Sequence, residues 1–138
     1  YFAASIRGGR DDMSIYARII ELLKPYGAVV TEYVASADLS QRGENAPDCE
    51  LHDRDLGWVR HSDVLVAEVT APSLGVGYEI GRAVAWNKRI ICLYRPSPDR
   101  KLSAMIAGCR DITVHEYCEV DELRDVFERA FTPAAPRA

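Results

Sequence analysis

The residues best equipped for chemistry stand together in one run, Pro72-Ser73-Leu74-Gly75-Val76-Gly77-Tyr78-Glu79-Ile80-Gly81-Arg82-Ala83, directly after the apolar stretch Val64-Leu65-Val66-Ala67-Glu68-Val69. A strand that turns through glycines into a helix lets backbone N–H groups close on an anion at the positive helix end. Glu79, one turn into that helix, is placed for the dipole to favour its ionised form and to face the same ligand. A phosphate cradle with a carboxylate beside it points to chemistry on a nucleotide or a sugar phosphate.

Each residue also has a plainer role. Gly75-x-Gly77-x-x-x-Gly81 departs from the dinucleotide fingerprint, since its third glycine comes one residue late and the motif does not follow the first strand. Spacing alone leaves a phosphate site and a tight, closely packed turn equally open. Glu79 could be a first-turn glutamate paired with Arg82 at i, i+3, and Asp55 an N-cap. Arg7 and Arg10 could be solvated loop charges, and Ser103 in Leu102-Ser103-Ala104-Met105-Ile106 reads as a helix N-cap. His52-Asp53-x-Asp55 lacks further ligands at metal-binding spacing and reads as a polar loop.

The elements that must position these groups alternate strand and helix. Strands are expected at Tyr1–Ile6, Ala28–Val34, Asp63–Val69, Arg89–Tyr94 and Thr113–Tyr117. An amphipathic helix is expected over Asp11–Tyr26, with Ile15, Ile19, Leu22 and Leu23 on one face and Gly27 as its stop. Ala35–Asp55 is polar and reads as a long loop, followed by a short helix at Leu56–His61. Helices are further expected at Gly75–Asn87, buried through Val76, Ile80, Ala83 and Val84, and at Asp121–Phe131, with Leu123, Val126, Phe127 and Ala130 inward. The tail 132–138 is expected to fray. This alternation predicts an α/β fold with a five-stranded parallel sheet covered by helices on both faces. Ligands in such sheets bind at the carboxyl ends of the strands, a rim that gathers Ser5–Arg10, the segment before Leu56 and Ser73–Glu79.

With 138 residues, 48% of them hydrophobic and 28% charged, the chain fits one globular domain spanning 1–131. A net charge of −4 argues against a broad nucleic-acid-binding surface, while leaving room for a small anionic ligand. No apolar run is long enough to span a membrane, and no signal peptide is read; the chain opens on Tyr1 rather than Met, so any targeting segment ahead of it is unread. Cys49, Cys92, Cys109 and Cys118 form no C-x-x-C pair, so reduced, intracellular cysteines are expected and a zinc site is not.

Taken together, Tyr1-Phe2-x-x-Ser5-Ile6-Arg7-Gly8-Gly9-Arg10, Asp55-Leu56-x-Trp58, Val66-Ala67-Glu68-Val69-Thr70 with Pro72–Glu79, and Leu102–Ile106 resemble the 2′-deoxynucleoside 5′-phosphate N-hydrolases of the nucleoside 2-deoxyribosyltransferase superfamily. The likeness runs in order from Tyr1 to about Phe131. It implies a flavodoxin-like or Rossmann-like sheet, a homodimer, and a location in cytoplasm or nucleus. It also implies hydrolysis of deoxynucleoside monophosphates to free base and 2-deoxyribose 5-phosphate, with no cofactor.

By match of motif, the resemblance makes Glu79 the nucleophile and Asp55 the acid/base carboxylate. Tyr1 falls on an aromatic beside the sugar that disfavours a 2′-hydroxyl. Ser5, Ile6, Arg7, Gly8, Gly9, Arg10, Ser73 and Gly75 fall on nucleotide-binding positions, and Ser103 on a phosphate-binding serine lent by the partner subunit. Ala4 stands where the family usually has Gly and Tyr33 where it has His, two departures beside the nucleotide that bear on base preference. The chemistry suits paired carboxylates, because breaking the C–N bond builds oxocarbenium character at C1′ that a carboxylate can capture. A deoxyribosyltransferase using the same intermediate and a non-catalytic nucleotide-binding module are the alternatives.

Overall fold

The computed structural model describes residues 1–5, 12–31 and 46–132. Four parallel strands form the sheet, β1 (Phe2–Ala3), β2 (Val64–Glu68), β3 (Arg89–Tyr94) and β4 (Ile112–Glu116), in the order β1-β2-β3-β4. The register pairs Phe2 with Val66, Val66 with Ile91 and Ile91 with Thr113. Five α-helices accompany the strands, α1 (Met13–Leu23), α2 (Asp48–His61), α3 (Leu74–Ala85), α4 (Ala104–Ala107) and α5 (Leu123–Phe131). The period-two alternation of the strands divides the core between two faces. Phe2, Val66, Ile91 and Leu93 pack with Tyr16, Ile19, Ile20 and Leu23 of α1 and with Leu123 and Phe127 of α5. Ala3, Leu65, Ala67, Ile90 and Cys92 pack on the other side with Val59 of α2 and Val76, Ile80 and Ala83 of α3.

Two expectations change. The sheet has four strands rather than five, because residues 28–31 form no ladder with β1. Thr31 stands in for the missing ladder there. Its buried hydroxyl accepts from the Phe2 amide at 2.9 Å and donates to the Phe2 carbonyl, satisfying an edge that a strand would otherwise cover. The rest of the expected strand, 32–34, lies outside the described residues.

The second change is α2, which begins at Asp48, well inside the expected polar loop. Only Leu56 and Val59 of this helix are buried, so its apolar stripe is too thin to announce a helix. Its charges supply the missing signal, with Asp48 and Glu50 in the first turn and Arg60 and His61 in the last, each sign at the end the dipole favours. The other helices match their apolar periodicity to within a few residues. No helix among the described residues is long and apolar enough to cross a membrane.

Candidate active site

The longer α2 removes the plain explanation of Asp55. An N-cap role requires a helix end with unsatisfied N–H groups, and Asp55 lies in the helix interior. There Arg54 grips it, donating from Nε at 2.9 Å and Nη2 at 2.8 Å to the same oxygen, Oδ1. The Arg54 guanidinium also lies 4.5 Å from the centre of the Trp58 ring, which fixes its plane. Nothing in the sequence pattern distinguished Arg54, since its role follows from the turn of α2.

Glu79 likewise loses its plain role. It sits beyond the first turn of α3, which holds no acidic residue, and Arg82 is turned away onto the Trp86 ring at 4.7 Å. The Tyr1 hydroxyl donates to Glu79 Oε1 at 2.6 Å, across the start of the sheet. Burial pushes the Glu79 carboxyl up to about 7. The Tyr1 hydrogen bond opposes that rise and the negative charge of Asp55 adds to it. The expectation that Glu79 is simply held ionised therefore gives way to a carboxyl poised to gain or lose a proton near neutrality. Beside the pair, His52 Nε2 and the Tyr78 hydroxyl meet at 3.1 Å, joining α2 to α3, and Asp53 meets His52 Nδ1 at 2.8 Å.

At the start of α3, Ser73 is the N-cap, its Oγ accepting from the Val76 N–H at 3.4 Å. A Cβ added at Gly77 or Gly81 would meet nothing within 4 Å, and one at Gly75 only Ser73 Oγ at 3.9 Å. Close packing among the described residues therefore does not account for these glycines, though each costs a helix roughly 0.5–1 kcal/mol relative to Ala. Ala4 and Ser5 are buried just beyond β1, and Ser5 Oγ has no hydrogen-bond partner among the described residues. Ile6, Arg7, Gly8, Gly9, Arg10 and Tyr33 lie outside the described residues. Ser103 is apart from the rest. It is exposed, caps α4 by accepting from the Met105 N–H at 3.3 Å, and belongs to the β4 side of the sheet.

A buried carboxyl held by a tyrosine, with the charge of a second carboxylate acting on it, suits displacement at a sugar carbon. The family model for nucleoside 2-deoxyribosyltransferase matches residues 1–122, a span that includes every group just described. The chain belongs to the nucleoside 2-deoxyribosyltransferase family. Its similarity to individual members is high and nearly end to end. It is 52% identical over 142 residues to the 5-hydroxymethyl-dUMP N-hydrolase of Mus musculus, covering 99% of this chain and 82% of that one. The protein of that name from Danio rerio is 53% identical over 135 residues, covering 95% and 94%. The one from Homo sapiens is 52% identical over 140 residues, covering 96% and 80%. Family membership explains why a Gly-rich turn of non-dinucleotide spacing opens α3.

Proposed function

We propose that this chain hydrolyses the N-glycosidic bond of 2′-deoxynucleoside 5′-monophosphates, releasing the free base and 2-deoxyribose 5-phosphate. The observation that carries the reading is the Tyr1–Glu79 hydrogen bond with the charge of Asp55 acting on the same carboxyl. A pair holding one proton between them has the complement that the reaction needs, one carboxylate to attack and one acid to protonate the leaving base. Before the bond breaks, the proton of the pair passes from Glu79 to Asp55, leaving Glu79 ionised beside the positive charge growing at C1′. Glu79 then bonds to C1′ as the C1′–N bond breaks, and the electron pair leaves with the base nitrogen, which takes its proton from Asp55. Water next attacks C1′, giving a proton back to Asp55 and freeing Glu79.

The 5′-phosphate is assigned to Ser73, Gly75 and the start of α3, with Ser5, whose buried hydroxyl has no partner among the described residues, and with Ile6, Arg7, Gly8, Gly9 and Arg10. Tyr1, held against Glu79, crowds a 2′-hydroxyl and selects deoxyribose. The working unit is a homodimer in which Ser103 reaches the neighbour's phosphate. Leu74 is 96% and Met105 82% exposed, apolar surface that a second copy would cover. Trp86, with Arg60 at 5.9 Å and Arg82 at 4.7 Å from its ring, is a further apolar contact offered to that surface.

Incubation with deoxy- and ribonucleoside monophosphates, 5-hydroxymethyl-dUMP among them, tests the proposal. Free base and deoxyribose 5-phosphate from the deoxynucleotides are expected. Release of base only when an acceptor base is added would favour the transferase alternative, and binding without turnover would favour a non-catalytic module.

A further inference from the structure

Glu68 is the anomaly of the core, a carboxylate with 0% exposure at the end of an apolar strand. An ionised group so placed costs several kcal/mol unless donors surround it. Here Thr70 donates twice, its N–H to Oε2 at 3.2 Å and its hydroxyl to Oε1, and the Tyr117 hydroxyl donates to Oε1 at 3.0 Å. Arg95 Nε stands 3.7 Å from Oε1, and the same guanidinium pairs with Asp12 ahead of α1. The Thr70 hydroxyl works in both directions, because it also accepts from the Arg95 N–H at 2.9 Å. Every bond of this cluster lies at the carboxyl end of the sheet, where it ties together the ends of β2 and β3, the residue that follows β4 and the approach to α1. Ala71 and Pro72 alone separate Thr70 from Ser73, the N-cap of α3. A shift at Thr70 passes to Ser73 with little slack, since Pro72 has its φ fixed.

We propose that Thr70, clamped between the Glu68 carboxylate and the Arg95 amide, is the positioning residue that sets the Ser73 turn and thereby the preference of the site for a 5′-phosphate. The phosphate half of this inference rests on the function proposed above; the positioning half does not. A plain stabilising role would lower activity on all substrates alike. Positioning acts on the phosphate-bearing ones.

Thr70→Val keeps the shape and removes both hydroxyl bonds, whereas Thr70→Ser keeps both. The readout is the kcat/KM ratio of a deoxynucleoside monophosphate to its parent deoxynucleoside. For Thr70→Val the ratio is expected to fall by about tenfold or more, mainly through KM, the scale of one or two buried hydrogen bonds. Thr70→Ser is expected to restore it. Hydrogen–deuterium exchange of segment 71–77 in the free protein reads the positioning without any substrate. It is expected to quicken in Thr70→Val and to stay near wild type in Thr70→Ser. An unchanged ratio with unchanged exchange would overturn the inference. A wild type without any monophosphate preference would overturn the phosphate half, while exchange still decides the positioning half. Should Thr70→Val fail to fold, Tyr117→Phe, which removes one Glu68 donor outside the turn, is expected to lower the ratio and quicken exchange by a smaller amount; no change in either would overturn the inference.

Discussion

The Tyr1 hydroxyl and the Glu79 carboxylate, 78 positions apart in the chain, share a hydrogen bond of 2.6 Å. Tyr1 opens β1, and α3 runs back along the sheet from the far rim, so the bond joins the first residue of the chain to a helix built after the second strand. It favours the ionised form of Glu79 against the burial that disfavours it. The site thus holds a carboxyl balanced between its two states.

That balance gives Glu79→Gln two effects of opposite sign. Turnover is expected to fall by several orders of magnitude, because Gln cannot form the glycosyl ester. Stability is expected to rise. The folded carboxyl titrates at about 7 against an ordinary value of 4.5, so between those values the folded state binds more protons and stability declines as pH increases. Above the folded value the cost reaches up to about 3 kcal/mol, which Gln avoids. Thermal melts should show the variant gaining on wild type at pH 8 and not at pH 4. Equal melting temperatures at pH 8 would contradict the buried-carboxyl account.

Activity itself should follow the same titration. Because the pair needs its one proton for the leaving base, kcat/KM is expected to fall as pH rises through about 7. Tyr1→Phe removes the donor that favours ionisation, so this falling limb is expected to move to higher pH. A limb that stays in place would mean that Tyr1 does not govern the proton on Glu79.

Asp55→Asn is expected to slow hydrolysis by about 10²–10⁴-fold for natural bases, the usual worth of a general acid. Substrates whose leaving group departs without a proton should lose much less. With the acid gone, the residual activity is expected to rise with the ionisation of Glu79 alone, and loss of the neighbouring negative charge should place that rise below pH 7. Equal losses on both kinds of substrate would make Asp55 a positioning group for the sugar.

Mixing subunits tests the assignment of Ser103. Ser103→Ala and Glu79→Gln homodimers are each expected to be impaired. A mixed dimer carries one site with an intact Glu79 and an intact Ser103 from its neighbour, so activity should return on mixing. No recovery from dimers shown to exchange subunits would place Ser103 outside the neighbouring site.

Much of the architecture was legible because it is local. The apolar stripe of α1, the strand Arg89–Tyr94 and the inward positions of α5 each follow from periodicity within a single segment. So does the cap at Ser103, whose hydroxyl accepts from the Met105 N–H. Motif order marked Glu79 and Asp55, though each had an ordinary helical role that only the true helix boundaries removed. The first two turns of α2, 48–55, escaped notice because none of their residues is buried. Over the described part of the fifth expected strand, 28–31, the Thr31 hydroxyl bonds Phe2 in place of a ladder, a side-chain bond that propensity does not register.

The sequence by itself determined which segments alternate as strand and helix, and which residues are chemically able to act. The tertiary structure alone decided how those residues are poised. The pairing of Phe2 with Val66 brings Tyr1 alongside α3, and burial raises Glu79 against the Tyr1 hydrogen bond that lowers it. Glu68, visible in the sequence only as a charge in an apolar run, becomes a hub through partners at Thr70, Arg95 and Tyr117. Local periodicity is written in neighbouring residues. Proton affinity and long-range hydrogen bonds depend on groups that meet only after the sheet has set its register, because desolvation and Coulomb interaction act through space and not along the chain.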